Sequence, residues 1–323
     1  TIVEELENKY PENDIREAYS EIEQLKEAGQ LFTEDIYENY IDAFKDRPTV
    51  VKALCLHIAH DCNLACRYCF AEEGEYHVRR ALMSYEVGKA ALDFLIANSG
   101  NRRNLEVDFF GGEPLMNFDV VKQTVAYARS KEKEYGKNFR FTITTNGMLL
   151  DDDAIDFINK EMYNVVLSID GRKEVNDRMR VRADGNGSYD RIVKNFKKLV
   201  EKRGDKEWYV RGTYTKYNLD FSEDVFHLYD QGFDQISVEP VVEDPKVEYA
   251  ITEEDLDQIC KEYDRLADRL MELKKNGGFL NFFHFMIDLE QGPCVIKRLR
   301  GCGSGNEYVS ITPDGDIYPC HQF

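Results

Sequence analysis

The residues best suited to chemistry are three cysteines in one short loop, Cys62, Cys66 and Cys69, within HDCNLACRYCFAEEG at 60–74. Their spacing is C-x3-C-x2-C. A structural zinc takes four ligands in a closed tetrahedron, and a disulfide takes two. Three thiolates suit a cubane 4Fe–4S cluster, in which one iron is left open to a substrate or cofactor. The loop is short enough for all three sulfurs to wrap one small object. The competing reading is a zinc knuckle with a distant fourth ligand, His57 or His60.

The rest of the chain must position that loop. Its 323 residues suffice for a sizeable core, as one large domain or two ordinary ones. The net charge of −19 argues against a nucleic-acid partner, which wants a basic face. No run of eighteen apolar residues indicates a membrane span. The start, TIVEELENKYPEND, is acidic and lacks the apolar core of a signal peptide, so a cytoplasmic location is expected. Eight cysteines in a reducing compartment point to metal or catalysis before disulfides.

Residues 1–47 read as helices, with Ile15, Tyr19, Ile22, Leu25 and Leu31 at helical spacing and Gly29 as a stop. From residue 50 strands and helices alternate. Strands are expected at 51–59, 105–112, 138–147, 163–171, 207–215 and 233–240. Helices are expected at 84–100, 118–136, 151–161, 188–204, 222–232 and about 252–275, with Ser84 and Ser188 at two of the starts. Such alternation gives an α/β fold with parallel strands, as an open doubly wound sheet or as a barrel or partial barrel. Function then sits at the C-terminal strand ends. The three-cysteine loop, Gly111–Gly112–Glu113–Pro114, Thr145–Asn146–Gly147, Ser168 with Asp170, and Glu239–Pro240 all fall there. Past residue 276 the texture changes, and EYVSITPDGDIYPC reads as a β-hairpin turning at Pro313–Asp314–Gly315. The chain ends three residues after Cys320, so the region is expected to be cut short. Cys55 and Cys260 read as structural, small hydrophobes in a strand and a helix.

The C-x3-C-x2-C motif, with aromatic Tyr68 before its third cysteine, resembles the signature of the radical S-adenosylmethionine (SAM) superfamily, and the rim motifs over 50–275 agree with it. The resemblance implies a partial (β/α)6 barrel. It also implies a 4Fe–4S cluster on Cys62, Cys66 and Cys69 whose open iron chelates SAM, and a 5′-deoxyadenosyl radical that takes hydrogen from the substrate. Gly111, Gly112 and Glu113 are expected to receive the methionine ammonium. Ser168 and Asp170 would hold the carboxylate and ribose, with Arg180 or Arg182 pairing the carboxylate. Phe70 would serve the adenine, Thr145 and Asn146 would line the pocket, and Glu239 is a further rim candidate.

The later segment Cys302-x12-Gly315-x4-Cys320 resembles the opening of a SPASM-type auxiliary cluster domain, with Cys294 as a further ligand. A zinc ribbon is the alternative. HDCNLACRYCFAEEGEY with this tail resembles the maturases of "six cysteines in forty-five residues" ribosomal peptides, which join a cysteine sulfur to the carbon of an acceptor residue. That implies a Cys-containing precursor peptide and an electron donor such as ferredoxin or flavodoxin as partners, and at least one auxiliary iron–sulfur cluster. The expected organisation is a helical piece of a winged-helix peptide-recognition domain at 1–49, the core at 50–278 and the start of the auxiliary domain at 279–323. Sulfatase-maturing enzymes are the alternative within the superfamily. A peptide-binding module and an iron–sulfur electron carrier are the alternatives outside it.

Overall fold

The computed structural model describes residues 2–35, 38, 42, 49–287 and 301–322. They fall into two units, Thr1–Pro48 and Thr49–Phe323. The first carries α1 (Ile2–Leu6) and α2 (Glu12–Glu27). The second helix begins after Pro11 with Glu12 and Asp14 in its first turn and has Lys26 in its last, the charge order that a helix dipole favours. Of its expected apolar face, Ile15 is buried, while Tyr19, Ile22 and Leu25 are exposed.

The second unit is built on one ten-stranded sheet. Its strands are β1 (Ala53–His60), β2 (Ala81–Leu82), β3 (Asn104–Gly111), β4 (Asn138–Thr145), β5 (Asn164–Ser168), β6 (Tyr209–Tyr214), β7 (Gln235–Pro240), β8 (Asn281–Phe282), β9 (Tyr308–Ile311) and β10 (Ile317–Tyr318). The order is β10-β9-β1-β3-β4-β5-β6-β7-β8, with β2 antiparallel on the end of β1. β1 and β3 to β7 run parallel, as the alternating sequence requires. β8 joins β7 and β9 joins β1, both parallel, so residues 279–323 add strands to both edges of the core sheet. The sheet does not close, and the fold is a partial (β/α)6 barrel.

Helices α3 (Tyr85–Asn98), α4 (Phe118–Tyr135), α5 (Asp152–Glu161), α6 (Lys173–Met179), α7 (Tyr189–Arg203), α8 (Phe221–Asp230) and α9 (Leu256–Lys275) complete the unit among the described residues. One face of each strand is apolar and belongs to the core shared with the helices: Leu54, Leu56 and Ile58, then Val107 and Phe109, then Phe141 and Ile143. Alternate residues face the other way and are largely polar, among them His57, Asp108, Thr142, Arg211 and Glu239.

Helix starts follow local chemistry. Ser84 Oγ accepts the N–H of Val87, and Asp151 Oδ1 accepts that of Ala154. Ser188 precedes α7 as expected but does not cap it. Its hydroxyl donates to the Arg180 carbonyl, so Asp177 Oδ1 takes the N–H groups of Ser188 and Tyr189, each at 2.8 Å. The long helix expected from 252 opens instead with a 3-10 turn at Glu253–Asp255, because Thr252 and Asp255 form a reciprocal capping box there.

Candidate cluster and cofactor site

The cysteine loop leaves the C-terminal end of β1 and is pinned at several points. Asp61 Oδ1 accepts the Cys62 N–H at 2.9 Å and Arg80 Nη1 at 3.1 Å, and Arg80 Nε donates to Glu75 at 2.8 Å. The loop's middle lies antiparallel to 179–182: Ala65 N–H donates to Val181 O at 2.7 Å and Arg67 N–H to Met179 O at 2.9 Å. Gly112 N–H donates to Ala59 O at 2.8 Å and Glu113 N–H to Asp61 O at 2.9 Å. A Cβ on Gly112 would lie 2.1 Å from Asp61 O, and one on Gly111, at φ +116°, 2.3 Å from Ala59 O. These glycines let β3 and the cysteine loop touch backbone to backbone.

Cys62, Cys66 and Cys69 are partly buried free thiols. Asn146 Nδ2 and the Leu64 N–H each lie 3.5 Å from Cys62 Sγ. Burial, with Glu113 nearby, pushes the Cys62 thiol up to about 12; burial does the same for Cys66, against the pull of Arg180. Uncompensated thiolates are costly here, and bound iron would offset that cost. Among the described residues no three His, Cys, Asp or Glu side chains close on a single-ion site. His57 and His60, the alternative zinc ligands, face each other, Nδ1 to Nε2, at 3.0 Å. Cys62, Cys66 and Cys69 each lie within electrostatic reach of the others, a donor set of the kind a multi-iron group held by three sulfurs would take.

Two buried carboxylates organise the rim. Glu113 is fully buried; its Oε1 accepts from Leu115 N at 3.0 Å and Thr145 Oγ1 at 2.8 Å, and its Oε2 from Asn146 N at 2.8 Å. Burial pushes its carboxyl up to about 7 against those three donors. Glu113 thus staples the ends of β3 and β4. Asp170, also fully buried, accepts from the Tyr68 hydroxyl at 2.6 Å, Arg180 Nε at 2.9 Å and Thr213 N at 3.0 Å. It joins the cysteine loop to β5 and β6. Between the two arginines considered, Arg180 is the buried one, over the Tyr68 ring at 5.5 Å, and its Nη groups hold no hydrogen bond among the described residues. Arg182 faces outward, with Asp184 at 2.9 Å. Ser168 ends β5 beside Arg211 of β6. Glu239 pairs with Arg211 at 2.6 Å and accepts from Ser237; burial opposes this, yet the carboxyl stays below its usual range.

The second cysteine group lies on the β9–β10 side. Cys320 follows β10 and is partly buried, Cys302 is exposed, and Cys294 lies outside the described residues. Ser304 Oγ and Gly305 N–H both donate to Pro319 O, which ties the Cys302 loop to the end of the hairpin. The His321 ring meets Phe110 at 5.0 Å and Phe70 at 6.3 Å, and its Nδ1 lies 3.0 Å from the Tyr308 hydroxyl. Cys55 is buried as expected. Cys260 is not: it stands exposed on α9, a helix whose buried positions are Ile259, Glu262 and Leu266. Sequence reasoning missed Asp61, Arg80 and His321. The D-C pair at 61–62 was the one signal available, an Asx-type cap for the next N–H.

Residues 56–215 match the family model of the radical SAM superfamily. The cysteine-type anaerobic sulfatase-maturating enzyme of Clostridium novyi is 26% identical over 280 residues, 80% of this chain and 70% of that protein. The radical SAM cyclopropyl synthase TigE of Paramaledivibacter caminithermalis is 21% identical, over 84% of this chain and 57% of its own length. An uncharacterised protein of Methanocaldococcus jannaschii is 32% identical, over 43% of this chain and 45% of its own length. The chain thus spans about half of two of these relatives. In fold it resembles native anSMEcpe with bound AdoMet, with a TM-score of 0.71, 20% identity and coverage of 84% and 74% of the two chains. It also resembles Streptococcus suis SuiB bound to S-adenosylmethionine, with a TM-score of 0.61, 22% identity and coverage of 96% and 72%. Residues 56–215, with the cysteine loop and most of the rim it rests on, thus match a radical SAM domain, and the cofactors are a 4Fe–4S cluster and S-adenosylmethionine.

Proposed function

We propose that this chain is a peptide maturase, which joins a cysteine sulfur of a ribosomal precursor peptide to a carbon of an acceptor residue as a thioether. The observation that carries it is a contact between residues that neighbour the two cysteine groups. His321, next to Cys320, is in ring contact with Phe70, next to Cys69, at 6.3 Å. Two sulfur-bound groups would then lie on the same side of the sheet's rim. The sulfatase maturases and the cyclopropyl synthase among the relatives, and the anSMEcpe structure solved with a Cp18Cys peptide, support a peptide or protein substrate.

When bound, the cluster and SAM supply a carbon radical able to take hydrogen from an unactivated C–H bond. The chain's residues bind and orient. Cys62, Cys66 and Cys69 would hold the first cluster, and Cys294, Cys302 and Cys320 an auxiliary one. Arg180 would offer its Nη groups to the methionine carboxylate. Glu113 and Asp170 act through others, fixing Asn146 and Arg180, while Gly111, Gly112, Thr145, Ser168, Phe70 and Glu239 complete the frame. In the net reaction one S–H and one C–H are lost and one C–S bond forms. The two electrons and one of the protons reduce SAM to 5′-deoxyadenosine and methionine, the other proton is released, and a ferredoxin or flavodoxin supplies the priming electron. Residues 1–49 would take part in peptide recognition, 50–278 form the core, and 279–323 open the auxiliary region.

The test is product mass. Reconstituted protein with SAM and a Cys-containing precursor should yield peptide lighter by two hydrogens per link, with the cysteine no longer alkylatable. A formylglycine product, which consumes the cysteine, would replace this reading with the sulfatase-maturase one; the 26% identical relative favours that second reading.

A further inference from the structure

Tyr76 closes the cysteine loop. Its φ is +53°, the left-handed region where a bulky side chain is an outlier. Glu72, Glu73 and His77 share that conformation, but they are exposed, whereas Tyr76 is 8% exposed. The ring is stacked on His60 at 4.6 Å, lies 4.5 Å from His57, and takes the edge of Phe70 at 6.0 Å. The two histidines lie within bonding distance of each other, with their rings tilted by 57°, and only His60 is stacked on the phenol. The buried hydroxyl has no hydrogen-bond partner among the described residues.

Backbone strain and an unsatisfied hydroxyl at one residue are two unfavourable contributions. A fold keeps such a pair where something at the site accepts the bond. The ring's contacts place it against the cysteine loop: Phe70 directly follows Cys69, and His60 lies two residues before Cys62. The acceptors such a site would offer the hydroxyl are the sulfurs around Cys62 and Cys69.

We propose that Tyr76 is a positioning residue for the metal group: its hydroxyl donates a hydrogen bond to the sulfur shell of the cluster on Cys62, Cys66 and Cys69. This rests on the reading that these cysteines hold the cluster. Such a bond favours the more negatively charged reduced state, and so raises the reduction potential. The left-handed turn and the stacking on His60 fix the ring so that the bond is present before any substrate arrives.

The test is an EPR-monitored redox titration of the reconstituted full chain without SAM, with the auxiliary cysteines Cys302 and Cys320 replaced by Ala so that one cluster signal remains. Tyr76→Phe should keep the iron content and shift the midpoint to a more negative value. An unchanged midpoint at full iron content overturns the proposal. If Tyr76→Phe fails to hold iron, 3-fluorotyrosine at position 76, a stronger donor, should shift the midpoint upward; no shift there overturns it equally. Absence of any cluster signal in the parent protein would instead refute the cysteine assignment on which the inference stands.

Discussion

At the scale of single residues, the account turns on two buried carboxylates. Asp170 holds Tyr68, Arg180 and Thr213 together, and removing its charge leaves Arg180 buried without its partner. Breaking a buried pair costs about 3–5 kcal/mol. Asp170→Asn is therefore expected to lose about that much in urea unfolding of the cluster-free protein, and to weaken SAM binding. An unchanged unfolding midpoint would contradict it. Glu113 gives a pH signature. Its folded-state value of about 7 lies above the ordinary 4.5, so the folded protein holds the proton more tightly. The stability tied to this group is full below about 4.5 and is lost as pH rises through about 7. Relative to Glu113→Gln, the wild type should lose roughly 3 kcal/mol across that window. Parallel pH curves for the two would refute the assignment. The sequence pointed to Glu113 and Asp170 as rim residues through their motif positions. Their partners were not legible, because Tyr68 and Thr213 reach Asp170 only through tertiary packing.

At the scale of elements, the six parallel strands were readable because apolar strand-length runs alternate with capped amphipathic helices. The edges were readable only in part: the β9–β10 hairpin was expected at its Pro313–Asp314–Gly315 turn, but not the pairing of β9 with β1, far away in sequence, nor a strand at Asn281–Phe282. Pairings of that kind leave no local signal. The glycine pair was legible as a rim motif but not as an approach to Asp61. Gly112→Ala would place a Cβ 2.1 Å from a backbone oxygen that cannot yield without moving the cysteine loop. Iron retained per chain after desalting is expected to fall severalfold, while far-UV circular dichroism is unchanged. Full iron retention would show that the loop accommodates the methyl group and that the contact is dispensable.

At the scale of the whole molecule, the arrangement is a rim that holds one cysteine group and a hairpin edge that brings up a second. The two are expected to separate functionally. Cys302→Ala or Cys320→Ala should leave SAM cleavage intact and abolish the thioether product, read by mass on the same samples. Full product from Cys302→Ala would remove the auxiliary group from the mechanism. The central claim is simpler: three cysteines at the end of β1 hold a cluster with an open iron. The most direct measurement is 5′-deoxyadenosine, quantified by mass after anaerobic reconstitution, reduction and addition of SAM. The wild type should release it and Cys62→Ala should release none. Release that persists in Cys62→Ala, or none from a fully iron-loaded wild type, would contradict that claim.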